Sequence, residues 1–177
     1  KTNIYLTNTN YFAPVGGVDH TYTLADSGTT TIGAADTLII NLDQTLIIEN
    51  SKKIRIDGSL ENSGTVTVNS GGDCYADDSG VINNNNTITV KSSGVCYAIN
   101  SGAEINNNKT ITVESGGECY AEEGGEINNK DNANISVSGR FFSTGTSSKI
   151  ENSGTVTVNS GGHCYAEEGG VIDNKDN

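Results

Sequence analysis

The segment LENSGTVTVNSGG at Leu60–Gly72 returns, with one conservative change, as IENSGTVTVNSGG at Ile150–Gly162. Between the two copies a looser form of the same phrase recurs every 22 or 23 residues. A fixed period in that range marks a stacked-repeat architecture. It also bears on function, because repetition multiplies a surface and not a single site.

Three columns are readable in the repeat. The first is a β-branched triplet: Val66-Thr67-Val68, Ile88-Thr89-Val90, Ile111-Thr112-Val113, Ile135-Ser136-Val137 and Val156-Thr157-Val158. Apolar residues alternate with a hydroxyl residue, the period-2 pattern of a strand with one buried face. The second column is Cys-Tyr-Ala, beginning at Cys74, Cys96, Cys119 and Cys164, with Phe141-Phe142-Ser143 in its place in the fourth rung. The third is an aliphatic residue followed two places later by Asn: Asn62, Asn84, Asn107, Asn129, Asn152 and Asn174. Ser-Gly, Gly-Gly and Asn-rich stretches separate the columns, and these residues turn a chain sharply or accept positive φ. Helix formers are scarce and no 3.6-residue period appears, so the expected fold is all-β. Three short strands per repeat make one rung of a β-solenoid or β-arch stack with in-register parallel strands, because a single rung cannot bury its own inward face.

Alternation assigns the faces. Positions sharing parity with Tyr are mostly polar, so Tyr75, Tyr97, Tyr120, Phe142 and Tyr165 should form an outward aromatic ladder, with Cys and Ala pointing inward. The recurrent Asn should stack at a corner with its amides bonded along the axis, as in other Asn ladders; the alternative is that Asn serves there as a left-handed turn residue.

With 177 residues the chain suits one continuous domain. Residues 59–177 carry the repeat, whereas 1–58 read as an atypical N-terminal β cap or a segment that docks on a neighbour. The start at Lys1 without Met is expected to mark a mature secreted product, its signal peptide removed. The end at Asn177, part-way through a rung, is expected to leave strand edges that invite a further chain to add on. A formal charge of −12 argues against nucleic acid and anionic membrane surfaces. No apolar run approaches the length of a membrane span.

The candidate chemistry is sparse. The four cysteines are spaced by the repeat itself, which is no zinc-finger spacing. Cysteines in a secreted chain usually mean disulfides. Adjacent rungs bring Cα atoms to roughly 5 Å, which makes Cys74–Cys96 the natural intrachain pair; Cys119 and Cys164, separated by the Phe141 rung, would pair with other chains or stay free. The acidic pairs Asp77-Asp78, Glu122-Glu123 and Glu167-Glu168 are adjacent in sequence and do not converge as a hydrolase dyad must; they read as surface charge, with calcium the alternative. His20 and His163 lack a triad context, and no cofactor or metal site is expected. Asn85-Asn86-Thr87, Asn108-Lys109-Thr110 and Asn134-Ile135-Ser136 match the glycosylation sequon, which would admit a glycan, although such matches arise easily in an Asn-rich repeat.

Acidic Gly/Asn/Ser-rich repeats, in-register cysteines and the absence of Met and Trp resemble the proteinaceous sheath subunits of filamentous methanogenic archaea. The resemblance covers about Leu60 to Asn177. It implies an amyloid-like, self-assembling homopolymer that forms hoops or tubes outside the cell, weakened by reduction. The aromatic ladder would then line a lateral contact, with Cys119 or Cys164 cross-linking neighbouring chains. Two function classes follow. One is a non-enzymatic structural subunit of an extracellular sheath, tube or filament. The other is a secreted β-helical adhesin whose tyrosines stack on sugars. A polysaccharide lyase is disfavoured, since the one broken rung adds apolar bulk and no catalytic set.

Overall fold

The computed structural model describes residues 2–175. Each turn of the chain lays down three strands of four or five residues, as in Asp73–Asp77, Val81–Asn84 and Thr87–Val90, and the next turn repeats them. Every such strand pairs in parallel with its counterpart one turn away. Among the described residues this produces three sheets of seven, eight and eight strands running the length of a solenoid of about seven turns. We call them the tyrosine, asparagine and threonine sheets, after the residues their outer faces or corners repeat. Register never slips. Leu60 lies beside Ile82, then Ile105, Ile127 and Ile150, so the two near-identical segments sit four strand spacings apart.

The inward residues of all three sheets form one continuous apolar column, with Ile54, Leu60, Val66, Cys74, Ile88, Ile111, Phe141 and Ile150 fully buried. No rung has a core of its own, so the solenoid is stable only as a stack. Length variation is confined to the turns. The turn leaving the tyrosine sheet has three residues at 78–80 and four at 100–103 while the flanking strands keep their lengths, which is how a period of 22 becomes 23. The short form is tight. A Cβ on Gly80 would fall inside the carbonyl of Ile56 in the preceding turn. The longer form accommodates Ala103, fully buried, at the corresponding place.

The ladders run through residue 58 without a break. Lys52–Ile56 pairs with Asp73–Asp77, Ser59–Asn62 pairs with Asp36–Ile40, and Gly28–Ile32 pairs with Lys52–Ile56, all in parallel. The coil therefore begins earlier than the boundary read from the sequence. In those turns Ile54 and Ile56 occupy the places that Cys74 and Ala76 hold later, and inward parity, not residue identity, is what stacking requires. The departure is confined to the first strands. Phe12–Pro14 pairs antiparallel with Thr21–Leu24, and Leu6, Phe12 and Leu24 are buried at the N-terminal end of the core. Pro14 lies on the outermost strand of its sheet, where a missing N–H breaks no ladder.

Gly80→Ala should destabilise the fold by about 1–3 kcal/mol through the forced clash, while Ala103→Gly should cost less than about 1 kcal/mol. Denaturant unfolding of the two variants measures the difference.

Candidate functional site: the outward ladders

Because register is fixed, each outward position becomes a column of whatever the repeat carries. On the tyrosine sheet, ring centroids of Tyr75, Tyr97, Tyr120, Phe142 and Tyr165 follow one another at 4.8, 5.0, 4.7 and 5.1 Å, with interplanar angles of 4°, 8°, 19° and 4°. The strand spacing of about 4.8 Å imposes this stacking. It also changes what the ladder can bind. Each interior ring has both faces covered by its neighbours, so the ladder offers edges and hydroxyls, and the expected stacking of sugars on open tyrosine faces is not available along it. Phe142 is itself buried and interrupts the hydroxyl row. Arg55 occupies the column before Tyr75; Arg140 lies 5.5 Å from the Phe142 ring centroid and donates to the Tyr165 hydroxyl at 3.4 Å. Burial, reinforced by neighbouring phenols and carboxylates, holds Tyr97 and Tyr120 well above the usual phenol range.

Charges beside the ladder avoid their own kind. One column reads Lys53, Asp73, Val95, Glu118, Arg140, His163, and another Asp77, Ile99, Glu122, Thr144, Glu167. Ion pairs follow that order: Lys53 with Asp73 at 2.5 Å, Arg55 with Asp77 at 3.3 Å and with Asp78 at 3.1 Å, and Arg140 with Glu118. The acidic pairs have a structural use that their sequence did not announce. Their second members Asp78, Glu123 and Glu168 adopt positive φ in the turn leaving the sheet. Asp77 accepts from the backbone N–H of Asp78 and from the Asn100 amide, each at 2.7 Å.

At the corner between the asparagine and threonine sheets runs the amide ladder. Asn62 donates to Asn84 at 2.8 Å, Asn84 to Asn107 at 2.8 Å, Asn107 to Asn129 at 2.8 Å, Asn129 to Asn152 at 2.7 Å and Asn152 to Asn174 at 2.6 Å. The same Nδ2 groups also donate to the carbonyls of Thr87, Thr110, Asn134 and Thr155. Asn62 stands at the head, beside Ile40 of the previous turn, and its buried Oδ1 has no partner. A second ladder, on the outer face of the asparagine sheet, escaped the sequence reading. Asn128 donates to Asn106, Asn106 to Asn83 and Asn83 to Glu61. The Asn runs at 83–86, 106–108 and 128–129 were its signal.

The threonine sheet differs from both. Its outward columns read Thr45, Thr65, Thr87, Thr110, Asn134, Thr155 and Ile47, Thr67, Thr89, Thr112, Ser136, Thr157. No Asp, Glu, Lys or Arg occupies either one.

The cysteines are free thiols, which corrects the disulfide expectation. Cys74 faces Cys96, and Cys96 faces Cys119, on parallel in-register strands. All three are fully buried, so Cys119 cannot reach another chain. Hydrogen bonds to the Cys96 thiol, then burial, keep Cys74 and Cys119 well above the usual thiol range. Cys164 is half-buried and lies beyond Phe141. It lines a cavity with Ile150, Val156 and Ile172.

Elsewhere little converges. His20 pairs with Asp43 at 2.8 Å with both side chains exposed, and His163 is exposed on the outer face of the tyrosine sheet. Among the described residues no group of three or more His, Cys, Asp or Glu side chains is placed to hold an ion. No helix of the described residues is long and apolar enough to cross a membrane.

No family model matches the sequence, and no curated protein matches it. Among solved structures it is similar to the TibC-catalyzed hyper-glycosylated TibA fragment, 17% identical over 97% of each chain with a TM-score of 0.18. That superposition is too poor to carry a functional argument.

A thiol reagent added to the native protein should label Cys164 alone, with Cys74, Cys96 and Cys119 reacting only after denaturation; mass mapping of the labelled peptides reads the outcome.

Proposed function

We propose that this chain is a self-assembling structural subunit of an extracellular sheath, tube or filament, and that it acts through its long faces and strand edges and not as a catalyst. The observation that carries this reading is the amide ladder. It runs unbroken through six consecutive turns from Asn62 to Asn174, while the outward charges of the tyrosine sheet change from turn to turn. What each repeat keeps is the capacity to stack. A rod of this kind presents the same three faces along its length, which suits lateral and end-to-end contact with copies of itself. Cohesion in this proposal comes from strand edges and faces, and the buried thiols take no part.

A secreted β-helical adhesin is the second reading. One observation favours it: the threonine sheet offers an extended uncharged face in a chain of net charge −12.

Electron microscopy of the purified chain over a range of concentrations, with and without reductant, tests the first reading. Hoops, tubes or filaments that persist in reductant are expected. A monodisperse monomer at every concentration would overturn it.

A further inference from the structure

The outer face of the threonine sheet has three properties that together narrow what it can bind. It is uncharged, although the chain carries 22 acidic and 10 basic residues. It is regular in two directions. The pairs Thr65/Thr67, Thr87/Thr89 and Thr110/Thr112 lie on successive strands in strict register, about 4.8 Å apart across the strands and about 6.6 Å apart along them. It is also unsatisfied. Among the described residues, the hydroxyls of Thr65, Thr67, Thr89, Thr110 and Thr112 have no protein partner; of the six, only Thr87 has one, donating to the side chain of its turn neighbour Asn86 at 3.3 Å. All six threonines are partly buried. Their β-branched side chains hold few χ1 rotamers, so the array of hydroxyls and methyls is formed before anything binds and loses little entropy on binding.

Candidate occupants separate on these properties. A second copy of the chain would gain little. Five or six strands at about 4.8 Å, each four residues or about 13 Å wide, cover roughly 300–400 Å², well under the ~800 Å² per partner of a stable interface. It would also have to desolvate both hydroxyl rows, which is unfavourable wherever a hydroxyl fails to meet a partner. A charged glycan or acidic peptide finds no counter-charge here. A neutral polysaccharide finds no exposed aromatic face to stack on, because the rings lie on a different sheet and cover one another. Water in a crystalline lattice does fit. Tetrahedral O–H···O bonds of about 2.75 Å place next-nearest oxygens about 4.5 Å apart and repeat the layers at about 7.3 Å. The rung spacing is close to the first repeat. The spacing between the two columns falls short of the second by about 0.7 Å; only two columns exist, so this offset occurs once and does not accumulate, and bridging waters can span it.

We propose that the threonine face, centred on Thr65, Thr67, Thr87, Thr89, Thr110 and Thr112, is an ice-binding surface that orders water into register with an ice lattice. This stands independently of the assembly reading, since it needs one face of one chain.

Partition of the full chain into a slowly growing polycrystalline ice mass, with thermal hysteresis read in parallel, tests it. The wild-type chain should enter the ice and hold the freezing point below the melting point. Thr89→Lys and Thr112→Lys should lose both effects. Ser115→Lys, in an exposed turn, should retain them, with circular dichroism and thermal unfolding showing each variant folded. Exclusion of the folded wild type from ice would overturn the proposal. So would equal activity of all variants, or binding by this face to crystalline cellulose or to a second copy in sedimentation without any partition into ice. Assembly is read from particle images in liquid water, so failure of either proposal leaves the other standing.

Discussion

Parallel strands in strict register place every side chain beside its own counterpart at about 4.8 Å, and this like-on-like constraint governs the rest of the molecule. Groups that complement themselves accumulate under it. A carboxamide carries donor and acceptor together, so Asn can be repeated down a buried corner with almost every amide satisfied. Flat rings stack on flat rings. Aliphatic groups and thiols simply pack. Charges have no such self-complementarity, and like charges directly opposite are destabilising. Carboxylates at Asp77, Glu122 and Glu167 accordingly recur at every second turn of their column, and Arg140 sits between Glu118 and His163. Glu104 beside Glu126 and Glu151 beside Asp173 are exceptions; Asn106 donates to Glu104, and Lys149 and Lys175 each pair with both Glu151 and Asp173.

How far the sequence could be read follows from the same constraint. Strand positions and inward parity were legible because they are written as residue identity at fixed spacing: Cys74 and Ala76 point inward, and Leu60 and Ile150 share one ladder. The turns at 28–58 were harder to recognise. Ile54 and Ile56 fill the same inward places without resembling Cys and Ala. Ring orientation was illegible, because parity says that Tyr97 points outward but not that Tyr75 and Tyr120 cover its two faces. The thiols misled for a related reason. Register alone made Cys74 and Cys96 look like a disulfide pair, whereas Cys74, Cys96 and Cys119 are three free thiols on parallel strands within the core. The threonine face was visible only in fragments, since an uncharged surface is a property of several turns together and not of one triplet.

The function proposed here draws on what repetition does best. A solenoid whose chemistry is distributed over ladders has no single place where an acid, a base and a substrate would meet. It has long surfaces instead, and the three differ: one aromatic and charged, one rich in carboxamides and carboxylates, one uncharged and hydroxylated. Assembly and surface binding each use such a surface without requiring any turn to be special.

The central claim is that the buried amide ladder links the turns, and comparing two Asn→Leu substitutions tests it most directly. At Asn62 the substitution removes an acceptor already without a partner and leaves one behind on Asn84, so the number of orphaned groups is unchanged. At Asn107 it removes the acceptor for Asn84 and newly orphans the buried Oδ1 of Asn129. Equilibrium unfolding should therefore show Asn107→Leu to be about 1–3 kcal/mol more destabilising than Asn62→Leu. Equal costs, or a greater cost at Asn62, would contradict the account.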